Sequence, residues 1–113
     1  WPVATITIGG IVYSRTDAQA LMKAPGAGDK TYDMFAQLVA AKLNVISGAS
    51  AGCIQDVIDD ADTWMTTYPV GSGVKANHDA WKTPVLGLAA AAGTMHTTLD
   101  SYNNGLMCAA SGG

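Results

Sequence analysis

The run from Thr31 to Ile46, TYDMFAQLVAAKLNVI, constrains this chain more than any other stretch. Phe35, Leu38, Val39, Leu43 and Ile46 recur at steps of three and four, a spacing that a helix gathers onto one apolar stripe. Ala36, Ala40 and Ala41 leave room for neighbours to come close. Only Asp33 and Lys42 carry charge in this run, so other elements rather than water are expected on more than one of its faces. The pattern predicts a buried central helix, which is a scaffold rather than a chemistry.

A chain of 113 residues is one domain, residues 1–113, long enough to bury about two thirds of its unfolded surface around a single core. Charged residues make up 13%, against roughly 25% in typical soluble domains, so Ser, Thr, Asn, Gln, Gly and Ala must furnish the surface. Such surfaces suit secreted proteins, and they lack the like-charge repulsion that keeps copies apart. The formal charge is -3 and no Lys or Arg cluster occurs, which argues against nucleic acid and anionic membranes as partners. No apolar run approaches the roughly 18 residues that cross a bilayer, so membrane insertion is not expected. The chain opens at Trp1 without a basic leader or initiating Met, which reads as a processed or excised segment. Cys53 and Cys108 lack the short spacings of zinc ligands. A disulfide is the simplest explanation, and two unpaired buried thiols are the alternative.

Along the chain, Thr5-Ile6-Thr7-Ile8 alternates polar with apolar, Gly9-Gly10 is a turn pair, and Ile11-Val12-Tyr13 is again strand-like, which predicts a β-hairpin with edges open to pairing unless blocked. Thr16 to Gln19 has the capping-box pattern and starts a short helix to Ala24. Asp29 offers an N-cap to the central helix, and Gly48 suits its left-handed end. Ser50 is read as the cap of a helix spanning Cys53 to Tyr68, with Ile54, Val57, Ile58, Ala61, Trp64, Met65 and Tyr68 inward and Asp56, Asp59, Asp60 and Asp62 mostly outward. Pro69 stops it. One turn is expected around Trp81, then a helix from Pro84 through the alanines to 92, interrupted at Gly93 and restarted by Thr94. Asn103-Asn104-Gly105 ends that helix, Leu106, Met107 and Cys108 return to the core, and Ser111 to Gly113 is expected to be disordered. The fold class is therefore mainly α, a small bundle of about four to five helices with an N-terminal β-hairpin and one disulfide.

Several of these stretches resemble a domain found repeatedly in exported proteins of environmental bacteria. They are YPVGSGVK followed by a Trp, AQLVAAKLN in the central helix, a GAxxxCI start and an internal ADTW in the next helix, and the ending LDSYNNGLMCA. The likeness runs from TITIGGIVYSRTDAQALMKAP to Cys108 in the same order. It implies an extracellular module with a Cys53–Cys108 disulfide, and it carries over no catalytic residues. Members often bear a GYWKNHP-like segment that would end just before Trp1-Pro2-Val3 and is either absent here or outside the numbered residues, and Gly87 to His96 is longer and richer in Ala than expected from that family.

The candidate sites are few. The acids Asp56, Asp59, Asp60 and Asp62 are the densest group of oxygen ligands, but a helix face is a poor calcium cage and a solvated surface is the stronger reading. His78 and His96 have no partners in sequence that complete a catalytic set. Gly71-Ser72-Gly73-Val74-Lys75 has some likeness to phosphate loops without their spacing or a leading strand. No cofactor, metal or catalytic residue is assigned. Trp1 and Trp81 lie in segments expected at the surface, and Trp1, Ile6, Ile8, Val12, Trp81 and Leu88 are the candidate contact residues of the N-terminal segment, the hairpin and the Ala-rich stretch. The expected function is a non-enzymatic extracellular structural module whose partner is itself, a homo-oligomer or polymer forming a surface filament, layer or matrix. The alternative is a carbohydrate-binding or adhesive module with glycans as partners. No N-x-[ST] sequon occurs, while Ser and Thr are frequent enough to carry O-linked sugars.

Overall fold

A computed structural model describes residues 1–108. Strands β1 (Thr5–Ile8) and β2 (Ile11–Ser14) form an antiparallel hairpin in which Ile8 faces Ile11 and Thr5 faces Ser14. The helices are α1 (Arg15–Lys23), α2 (Lys30–Ile46), α3 (Gln55–Thr67), the single turn α4 (Asp79–Lys82) and α5 (Ala92–Asn103), with a short 3-10 turn at Gly26–Gly28. The mainly α bundle with its hairpin and a Cys53–Cys108 disulfide, Cα atoms 5.6 Å apart, is as the sequence led one to expect. The expectation for Ser111 to Gly113 lies outside the described residues.

The chain wraps α2. Helices α1, α3 and α5 and strand β1 all pack on it, and Thr31, Met34, Phe35, Leu38, Val39 and Ala41 are buried there. Asp29 caps its start by accepting from the Thr31 amide at 3.0 Å, and Gly48, at φ +100, turns the chain out of its last turn. The apolar stripe outruns its cover, however, and Ile46 is 52% exposed. Helix α3 returns antiparallel to α2, so that Asp62 meets Lys42 and the following loop meets Thr31. Helix α5 runs in the direction of α2, joined to it by side-chain amides: Gln37 donates to Asp100 at 3.1 Å, Asn44 to Asn103 at 2.9 Å, and Asn103 to the Gln37 side chain at 2.8 Å.

Four element boundaries differ from expectation, each for a local reason. Helix α1 is capped by Ser14 rather than Thr16: β2 runs straight into the helix, the Ser14 hydroxyl accepts from the Asp17 amide, and the Arg15 amide bonds back to Ala4. Ser50 does not cap α3. The amides of Ile54 and Gln55 turn onto the Ala51 carbonyl instead, and the Ser50 carbonyl accepts from the Tyr102 hydroxyl at 2.9 Å. Pro84 starts no helix, because the chain from Thr83 to Ala91 is irregular and contains a tight turn at Leu86 and Gly87. Gly93 does not interrupt α5 but lies inside it, where a Cβ would come within 3.1 Å of the Trp81 indole nitrogen. The return to the core at residues 106 to 108 is partial: Met107 and Cys108 pack on it, whereas Leu106 is 76% exposed.

Candidate functional site

The loop after α3 has amides aimed at an anion, and the anion is the chain's own. Asp29 is buried, and its carboxylate accepts from the Gly73 amide at 2.9 Å, the Val74 amide at 3.2 Å and the Thr31 hydroxyl at 2.7 Å, besides the Thr31 amide. The Thr31 hydroxyl in turn accepts from the Gly71 amide, and the Lys30 amide donates to the Val74 carbonyl. Burial pushes the Asp29 carboxyl up, but the hydroxyl and amide donors outweigh it and hold the group below its ordinary value. The stretch with a likeness to a phosphate loop is thus an internal clamp, which the sequence signalled only as an N-cap at Asp29.

Next to it lies an aromatic cluster. Trp64 is fully buried and donates from its indole nitrogen to the Ala80 carbonyl at 2.9 Å, and its ring meets Tyr68 at 5.0 Å and Trp81 at 5.9 Å. Trp81, expected at the surface, is only 9% exposed, because α4 folds its ring between Trp64 and His96. The two histidines serve this cluster. His78 caps α4, its Nδ1 accepting from the Ala80 amide at 2.9 Å, while its ring meets the edge of Tyr68. Burial lowers the affinity of His96 for a proton; Asp33 and Asp100 oppose that effect and Lys30 adds to it. Neither histidine meets the acids of α3.

Those acids divide. Asp56 and Asp59 are exposed, Asp59 accepting from the Gln55 amide group, and Asp60 is half-buried. Asp62 is a structural tie: it accepts from the Gly9 amide and from Lys42, both at 2.8 Å, and Lys42 also donates to the Thr7 carbonyl at 2.8 Å. One carbonyl on the outer edge of β1, that of Thr7, is thereby taken up. Ile6 and Ile8, expected among the contact residues, are buried beneath the hairpin, since alternation turns both toward the helices. Among the described residues no group of three or more His, Cys, Asp or Glu is arranged to hold a metal ion, and no helix is long and apolar enough to cross a membrane.

What remains at the surface is apolar and scattered. Trp1 is 38% exposed and Val12 64%, both as expected, and Leu88 is half-buried. Ile11, Ile46, Leu86 and Leu106 are exposed although the sequence did not single them out as contacts. Two shallow grooves accompany them. One, of about 270 Å³, is lined by Lys42, Val45, Ile46, Gln55, Ile58 and Asp59; the other, of about 320 Å³, lies between Trp1 and the α1 residues Gln19, Met22 and Lys23. Neither of these grooves is lined by a histidine.

No family model, curated protein or solved structure matches the chain.

Proposed function

We propose that this chain is a non-enzymatic, exported structural module, a self-assembling subunit of a bacterial surface filament, layer or matrix. One observation supports this above the others: a surface poor in charge carries large apolar side chains at Trp1, Ile11, Val12, Ile46, Leu86 and Leu106. Scattered exposed apolar groups gain most from contact where no charge must be desolvated with them. Export is supported by the disulfide, which persists in oxidising compartments, and by the resemblance to domains of exported proteins. The edge along β2, with Ile11 and Val12 exposed, is the hairpin's site for pairing, and the Trp1 segment is a second contact.

Light scattering and electron microscopy of the purified chain test this reading. Concentration-dependent assemblies of regular repeat are expected, and a strict monomer at high concentration refutes it. The carbohydrate-binding alternative calls for a row of exposed aromatics. With Trp81 buried, Trp1 is the one exposed large aromatic among the described residues, which weakens that alternative.

A further inference from the structure

We propose that β2 pairs with β2 of a second copy, antiparallel about a two-fold axis with Val12 opposite Val12, joining two hairpins into one four-stranded sheet. This rests on the self-assembly reading above and names its contact. The open groups follow from the ladder. The Arg15 amide bonds the Ala4 carbonyl, and Thr5 faces Ser14, so by antiparallel alternation Tyr13 and Ile11 exchange bonds with Ile6 and Ile8. The amide and carbonyl of Val12 therefore point away from β1, and neither has a partner among the described residues.

The two edges of the hairpin are guarded unequally. On β1 the Lys42 ammonium reaches the outward Thr7 carbonyl at 2.8 Å. From Ile11 to Ser14, by contrast, β2 has no charge, no Pro and no bulge, and its register with β1 is unbroken. Of the devices that keep edges from meeting, it has only its shortness.

A second copy is the occupant because the strand is complementary to itself. Pairing sets outward residues against outward residues, so Val12 meets Val12 and each donates its amide to the other's carbonyl. On the solvent face Thr7 lies beside Val12, and the joined sheet carries a row of four β-branched side chains, Thr7, Val12, Val12 and Thr7. On the other face the same register sets Ile11 of each copy beside Tyr13 of the other. Ile11 is 45% exposed at the margin of the core, and half-buried Tyr13 stands edge-on to Phe35 at 5.0 Å, so the pairing runs the two cores together. An unrelated extended segment covers Val12 alone; covering Ile11 too takes a large side chain next to the central residue, and Tyr13 supplies it. Residues 9–14 carry no charge, so pairing desolvates none. Arg15 comes opposite Gly9 of the other copy, where Asp62 and Lys42 are already paired with each other, and Asp17 is its neighbour on α1. Such a contact closes as a dimer, and a longer assembly takes a further contact elsewhere.

The test uses the full chain, as wild type and as Val12→Lys, Val12→Asp and Val12→Pro, the last removing the outward amide at a position where an edge strand tolerates proline. Fold is checked by circular dichroism, and association by sedimentation velocity up to millimolar concentration. Wild type is expected to associate, with the Val12 amide exchanging its hydrogen more slowly as concentration rises. Each variant alone is expected to pair at least about tenfold more weakly, the first two because like charges then stand face to face. An equimolar mixture of Val12→Lys and Val12→Asp is expected to recover pairing, since an ammonium then faces a carboxylate across the axis. If the variants associate as well as wild type, the β2 contact is wrong and self-assembly stands. A mixture no stronger than either variant alone overturns the two-fold register, and wild type that stays monomeric at millimolar concentration overturns both the contact and the assembly.

Discussion

At Asp29 a single buried carboxylate collects four donors from two segments that are far apart in sequence, so its charge state is coupled to the whole loop from Pro69 to Val74. Because its folded pKa lies below the ordinary 3.8, the folded state binds the proton less readily than the unfolded chain. The stabilisation is complete above that ordinary value and is lost as pH falls through the lower folded one. Asp29→Asn keeps the shape but removes the charge, and is expected to cost about 3 kcal/mol at neutral pH while flattening the acid limb, read by urea titrations across pH. His96 adds an earlier window. Its folded pKa is below the ordinary 6.5, so stability falls as pH drops from there toward the folded value, and His96→Gln is expected to remove that slope and leave the one due to Asp29. At Leu86 the strained backbone costs about 1–2 kcal/mol, so Leu86→Gly is expected to raise the melting temperature by a few degrees despite deleting a side chain.

Among the elements, the hairpin is held at its turn as much as by its buried face. Gly9, at φ +59, lies so close to α3 that a Cβ would stand 2.5 Å from the Met65 carbonyl oxygen. Its amide meanwhile bonds Asp62. Gly9→Ala combines a left-handed penalty with a backbone collision, and is expected to destabilise by about 3 kcal/mol or to detach the hairpin, visible as a chemical-shift change confined to β1, β2 and their neighbours. Gly10, with nothing within reach of an added Cβ, is the control: its Ala variant suffers the conformational penalty alone. The strands and α2 were legible because period and turn or cap residues agreed there, as with Asp29 and Gly48, and α3 was legible from its apolar period alone. The helix expected from Pro84 was not. Pro84 and the alanines favour a helix locally, yet the chain reserves the region for Trp81, whose ring sits on Gly93 and between Trp64 and His96.

For the molecule as a whole, the Cys53–Cys108 bridge joins the approach to α3 to the segment after α5, across 55 residues of sequence. Reduction is expected to cost about 4 kcal/mol on the chain-entropy account, read as a lowered urea midpoint in reductant, with α2 and its contacts persisting longest. The sequence by itself determined the class of fold, the central helix, the hairpin and the candidate bridge, since these follow from short-range periodicity, turn chemistry and a count of cysteines. It also carries a net charge of -3. Only the tertiary structure decided which apolar side chains stay outside. Ile6, Ile8 and Trp81 went in while Ile46, Leu86 and Leu106 stayed out, because exposure depends on what lies opposite a residue in space. The same holds for Asp29 and Asp62, whose partners at Gly73 and Gly9 are distant along the chain: a carboxylate's neighbours in sequence say little about the amides that folding brings to it.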